Sequence, residues 1–187
     1  VDGTTYTQER PFMVIATQNP IEQAGTYRLP EAQLDRFLIK TSMGYPDHAA
    51  TVELLAGSAT RDRSAALTAV ITSAAVRDMA DLAATVHTDT SVLEYIAHLA
   101  AATRDAPETR LGVSVRGALA MVRAAKVWAA AEGRNYVLPD DVLTLAPSVF
   151  THRLVMDPEA EFAGATASAV LDQVLGSIAA PQQRVNA

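Results

Sequence analysis

The chain has 187 residues, 49% of them hydrophobic, which is length enough for one domain with a sizeable core or for a small domain joined to part of another. Its net charge of −6, with no long block of Lys or Arg, excludes a surface that tracks a phosphate backbone, so no nucleic acid is expected as a partner. The absence of cysteine excludes disulfides and thiolate metal sites; with no apolar run of about 18 residues and no charged-then-apolar leader, the sequence predicts a soluble, cytoplasmic chain without membrane insertion.

In chain order, Asp2-Gly3 before Thr4-Thr5-Tyr6-Thr7 reads as a hairpin turn and its second strand. The first strand is expected upstream, and Val1 in place of Met adds to the expectation that the chain is a piece of a longer protein. The run Phe12-Met13-Val14-Ile15-Ala16 reads as a buried strand that breaks off into Thr17-Gln18-Asn19-Pro20. A loop follows to Gly25. Pro30 suits a first helical position and Glu31 the positive end of a helix dipole, so 30–37 reads as a short helix ending in Asp35-Arg36-Phe37. Residues 38–41 are a second strand candidate, closed off by Gly44 and Pro46. With two or three strands and one short helix, the first 45 residues have too few partners to bury both faces of a sheet.

From Pro46 onward the periodicity is helical. Helices are expected over 46–57, from Thr72 or Ser73 to about Val86, over 89–104, from Ser114 to about Glu132, from Pro139 onward, and over 159–178. The segment 67–71 is ambiguous between strand and loop. Val92, Tyr95, Ile96 and Leu99 form a one-sided stripe, and the helix after Ser114 is expected to bury Leu119, Val122 and Ala129, widened by Met121, Ala125 and Trp128. Gly133 is a natural stop. The fold class is therefore mainly α, a helical bundle over 46–187 preceded by a partial α/β portion over 1–45.

The run IATQNPIEQAGTYRLPEAQLDRF resembles the second half of the P-loop ATPase core of the MoxR family of AAA+ proteins, and LGVSVRGALAMVRAAKVWAAAEGRNYVLPDDV with FTHRL resembles that family's helical lid. The resemblance implies that Asn19 stands at the sensor 1 position, where an amide both donates to a γ-phosphate oxygen and accepts from the attacking water. It implies that Arg36 is an arginine finger presented to the nucleotide of a neighbouring subunit, and that Arg116 is sensor 2, acting in cis or in trans. Val115 and Arg28 stand where the family often has Pro. ATP and Mg²⁺ would be used by the intact protein, in a ring that is expected to be a hexamer. Its implied work is chaperone-like remodelling or maturation of partner proteins, including ones with von Willebrand A-type domains.

No G-x-x-x-x-G-K-[ST] loop and no strand ending in Asp-Glu occurs in the chain, so by itself it is expected to bind no nucleotide tightly and to hydrolyse none. Two other readings stay open: a non-catalytic helical interaction module, and an ATPase subunit of the related chelatase type. The four histidines show no metal-ligand spacing, and no metal site is expected.

Overall fold

The computed structural model describes residues 3–18, 29–57 and 67–182. In chain order the elements are α1 (Glu31–Leu34), α2 (His48–Ala56), α3 (Ser73–Ala84), α4 (Thr90–Asp105), β1 (Thr109–Leu111), α5 (Val115–Ala131), α6 (Pro139–Phe150), a 3₁₀ turn (Thr151–Arg153), β2 (Val155–Met156), α7 (Pro158–Phe162) and α8 (Ala167–Ser177). The mainly helical fold class expected from periodicity is the one observed. The chain divides into two compact units, one made of the described residues of 1–12 and 41–78, the other of those of 13–40 and 79–187.

In the first unit, α2 starts where the Asp47 side chain accepts from the Ala50 amide at 2.8 Å, and it buries no residue. Arg77 donates to the carbonyl of Arg10 at 2.8 Å.

The second unit holds the core. α4 buries Val92, Tyr95, Ile96, Leu99, Ala100 and Thr103, the i, i+3, i+4, i+7 stripe of an amphipathic helix. α5 turns a face of small residues to the core, Gly117, Ala120, Ala124, Ala125 and Ala129, with Met121 as the gap filler. Small residues let α4 and α6 come close. Val142, Leu145, Ala146, Val149 and Phe150 of α6 and Leu171 and Val174 of α8 complete the cluster.

The loop between α4 and α5 is tied at several points. Thr103 Oγ1 accepts from the Val113 amide at 2.9 Å, Arg104 donates to the Val113 carbonyl at 2.7 Å, and Thr109 Oγ1 donates to the Thr103 carbonyl at 2.7 Å. At Gly112 any Cβ would lie 2.5 Å from the backbone of Thr103 and Arg104, so only glycine permits this approach. β1 pairs antiparallel with β2, Thr109 opposite Met156 and Leu111 opposite Val155. The loop thus delivers Ser114 to the start of α5 in a defined place. At the other end of α5, Gly133 ends the helix at φ +73°, and Arg134 meets Asp141 of α6 through two hydrogen bonds of 2.8 and 2.6 Å.

Several expectations need correcting. Among the described residues, 12–16 and 38–41 join no strand ladder; Phe12, Met13, Val14 and Ile15 are exposed, because a strand is held only by partners and these runs meet none. The segment 67–71 is not a strand either. The helix expected over 30–37 is a single helical turn over Glu31–Leu34, followed by a hydrogen-bonded turn at Asp35 and Arg36. The helix expected over 159–178 is two, since Gly164 takes φ +96° and the Thr166 hydroxyl accepts from the Ala169 amide to start α8 afresh. Leu119 and Trp128 lie outside the core; the buried face of α5 is rotated onto its alanines.

Candidate functional site

The site is built on the turn after α1. The amides of Gln33 and Leu34 close back on the Pro30 carbonyl, and those of Arg36 and Phe37 on Gln33 and Leu34. Glu31 pairs with Arg110 at 2.7 Å, but both side chains are half exposed and such a pair contributes little. Asp35 is the group that fixes the turn.

Ser114 is the N-cap of α5: its hydroxyl oxygen accepts from the Gly117 amide at 3.1 Å, and its proton points to the Asp35 carboxylate, whose oxygens lie at 3.1 and 3.0 Å. On another side of the same carboxylate stands Arg153, with Nε 3.2 Å from Oδ1, an ion pair lacking hydrogen-bond alignment. The Arg153 side chain is 1% exposed. Its Nη2 donates to the Phe37 carbonyl and, at 3.4 Å, to that of Asp35; its Nη1 donates to the Val149 carbonyl and, at 3.4 Å, to that of Leu38. One buried guanidinium therefore gathers three carbonyls of the 35–38 segment. Burial holds the Arg153 pKa below its usual value, and the Asp35 carboxylate works against that shift.

Space for this guanidinium comes from Gly117. A Cβ there would lie 2.7 Å from Arg153 Cδ and 2.7 Å from Val113 Cγ1. Beside Arg153, His152 Nε2 lies 3.2 Å from the Phe37 carbonyl. Burial, and then the neighbouring Arg153 charge, lower the His152 pKa, so the ring is kept neutral.

The residues singled out by sequence take distinct places. Arg36 is exposed, next to the anchored Asp35, and its side chain has no hydrogen bond or ion pair among the described residues. Arg116 is the second residue of α5, where the dipole disfavours a cation; its Nη1 is 3.6 Å from Asp35 Oδ2 while 58% of its side chain is exposed. The structure thus brings Arg116 to the carboxylate that precedes Arg36. Asn19 lies outside the described residues. Sequence reasoning missed Asp35 and Arg153. Asp35 sits too close to Arg36 to pair with it along a helix, which hid its role toward other elements. The available signal for Arg153 was a lone arginine between apolar Val149-Phe150 and Leu154-Val155.

Chemically, the arrangement offers two solvent-facing guanidiniums on a fixed base. Guanidiniums match phosphoryl oxygens in charge and in fork geometry. No G-x-x-x-x-G-K-[ST] loop of the kind that cradles inner phosphates occurs in the sequence. Among the described residues no group of three or more His, Asp or Glu side chains stands ready for a metal ion, and no helix is long and apolar enough to cross a membrane.

Residues 1–39 match the family profile described as ATPase family associated with various cellular activities (AAA), and residues 101–174 match the AAA lid domain. The chain is 41% identical over 184 residues to the uncharacterized protein YeaC of Bacillus subtilis, covering 98% of this chain and 58% of that one. It is 33% identical to the chaperone MoxR1 of Mycobacterium tuberculosis, covering 97% and 50%, and 32% identical to the protein MoxR of Paracoccus denitrificans, covering 91% and 56%. A crystallised ATPase candidate from Cytophaga hutchinsonii superposes with a TM-score of 0.85 at 32% identity, over 96% of this chain and 57% of that one. The chain spans between half and three-fifths of the length of these relatives.

Proposed function

We propose that this chain, which belongs to the MoxR family of AAA+ proteins, contributes an arginine finger and a lid to an ATP-hydrolysing ring. Residues 1–45 belong to the ATPase core and 46–187 to the lid domain. Arg36 is the finger, aimed at the nucleotide of the adjacent subunit; Arg116 is sensor 2 and Asn19 is sensor 1. The observation that carries this reading is the contrast between Arg36 and its neighbour: Asp35 is tied to three side chains of the lid segment, while Arg36 next to it is exposed and unpaired among the described residues. A finger needs that combination, a rigid base and a free charge.

ATP with Mg²⁺ is the cofactor of the intact protein, supplying the phosphoryl group whose transfer drives the cycle. Arg36 and Arg116 would meet its outer phosphate oxygens, neutralising charge that spreads over them as the terminal phosphoryl group leaves. The 187 residues alone are expected to turn over no ATP, because neither a phosphate loop nor an Asp-Glu strand end is among them. The name of the mycobacterial relative supports a chaperone-type role. In this reading the intact protein is a hexamer in the cytoplasm that remodels protein partners, von Willebrand A-type domains among them.

The test is Arg36→Ala in the intact protein. ATP binding is expected to stay within about threefold of wild type while turnover falls by about 10³-fold, the lower end of what such a residue supplies elsewhere. Unchanged turnover would reject the finger, and an intact wild-type protein that turns over no ATP would favour a non-catalytic interaction module.

A further inference from the structure

We infer that Asp35 is a positioning residue that couples the turn presenting Arg36 to the head of the helix carrying Arg116, so that the two exposed arginines shift together. The inference rests on the proposed role of Arg36 and deepens it. A carboxylate has about four lone-pair positions to fill, and here they face the Ser114 hydroxyl, Arg153 and Arg116.

These contacts differ in kind. Ser114 is the cap of α5, so a displacement of the helix start displaces the hydroxyl that holds Asp35. Arg153 comes from the 3₁₀ turn after α6, is shut off from solvent, and binds the backbone of the same turn at Asp35, Phe37 and Leu38. The inner side of the carboxylate is thereby fixed to the lid segment through groups that have no other place to go. The outer contact, with Arg116 at 3.6 Å, is longer than a hydrogen bond and mostly in solvent. It is the contact that yields when a polyphosphate competes for Arg116, while Ser114 and Arg153 keep hold. Arg36 then follows α5, because its turn is held through Asp35 by Ser114 at the head of that helix and by Arg153, which packs against Gly117 of α5 and also takes the Phe37 and Leu38 carbonyls; His152 on the Phe37 carbonyl and the surface pair of Glu31 with Arg110 add to this hold.

The experiment uses the intact oligomer and measures turnover against ATP concentration, with binding of a fluorescent ATP analogue measured separately, for Asp35→Asn, Arg36→Ala, Ser114→Ala and the combinations of the first and third with Arg36→Ala. Asn keeps the shape and one acceptor oxygen but not the charge. Asp35→Asn is expected to lower kcat by about 10- to 100-fold with analogue affinity within about threefold, and the double variant is expected to be no slower than Arg36→Ala. A purely structural role predicts instead that the two losses multiply, and that result, or a kcat within about twofold of wild type, overturns the inference. If Asp35→Asn fails to fold because Arg153 loses its counter-ion, Ser114→Ala decides: a kcat drop that does not multiply with Arg36→Ala supports the coupling, and unchanged kcat overturns it. Full turnover in Arg36→Ala alone rejects the finger and the coupling with it, whereas collapse in Arg36→Ala with a multiplying partner rejects the coupling only.

Discussion

Replacing Gly117 by alanine puts two effects of similar size in opposition, and the structure says which one wins. In a helix interior Ala is favoured over Gly by about 1 kcal/mol, and Gly117 lies within α5 at ordinary helical angles, so propensity alone predicts a more stable protein. Against this, the new methyl carbon would stand 2.7 Å from both Arg153 Cδ and Val113 Cγ1, and 3.1 Å from Arg153 Nε. Neither neighbour has room to retreat, since Val113 is fully buried and the Arg153 side chain nearly so. Overpacking of this sort costs about 1–3 kcal/mol, and moving Arg153 also loosens its hydrogen bonds to the 35–38 segment at about 1 kcal/mol each. The expected net change is a loss of about 1–3 kcal/mol, or roughly 3–10 °C in Tm for a chain of this size. Gly176, inside α8, provides the control, because nothing lies within 4 Å of the Cβ it would acquire. Gly176→Ala is expected to gain up to about 1 kcal/mol. Thermal unfolding followed by circular dichroism measures both. If the two variants shift Tm in the same direction, the packing of Arg153 against α5 described here is wrong.

Asp141→Ala removes the bidentate partner of Arg134 and the acceptor of the Leu138 amide at a side chain only 5% exposed, and urea unfolding is expected to show a loss of about 2–4 kcal/mol. A loss under about 1 kcal/mol would mean that water replaces the pair readily. For His152, burial and the Arg153 charge, with Lys40 adding to it, place the folded pKa below the unfolded value of about 6.5. The unfolded chain then takes up the proton first, so the contribution of the neutral ring is complete above about pH 6.5 and is lost as the pH falls below it. His152→Gln is expected to flatten this loss below about pH 6.5, and parallel stability curves for the two proteins would refute it.

Helices were legible wherever a local device marks them. Asp47, Asp89 and Ser114 each cap the helix they precede, Gly133 stops α5 with a positive φ, and the α4 stripe lies on the buried face as its spacing requires. What escaped depends on distance along the chain. β1 and β2 are three and two residues long, too short to show a period, and their pairing joins positions more than forty residues apart. In α5 apolar size pointed to Leu119 and Trp128, yet close helix contact selects small residues, so the alanines went inside. Arg36 and Arg116 were singled out because the runs around them resemble family motifs. Asp35 and Arg153 were not, since their meaning lies in a contact 118 residues long.

The charges around Asp35 do not balance, and the imbalance has a direction. Arg116 and Arg153 both face the one carboxylate, so two guanidiniums share a single counter-ion, and Arg36, which follows it in the chain, is paired with no carboxylate among the described residues of a molecule that is acidic as a whole. A protein stabilised only by its own contacts has no reason to gather surplus positive charge at an N-terminal helix end, where the dipole adds to the repulsion. Arg153 accounts for its own share, being buried against the carboxylate and four carbonyls. The surplus therefore resides on Arg36 and Arg116, the two that solvent reaches, and in the proposed function an anion from outside the chain would satisfy it. Asp35 supplies enough negative charge to hold the buried arginine in place and too little to occupy the exposed ones.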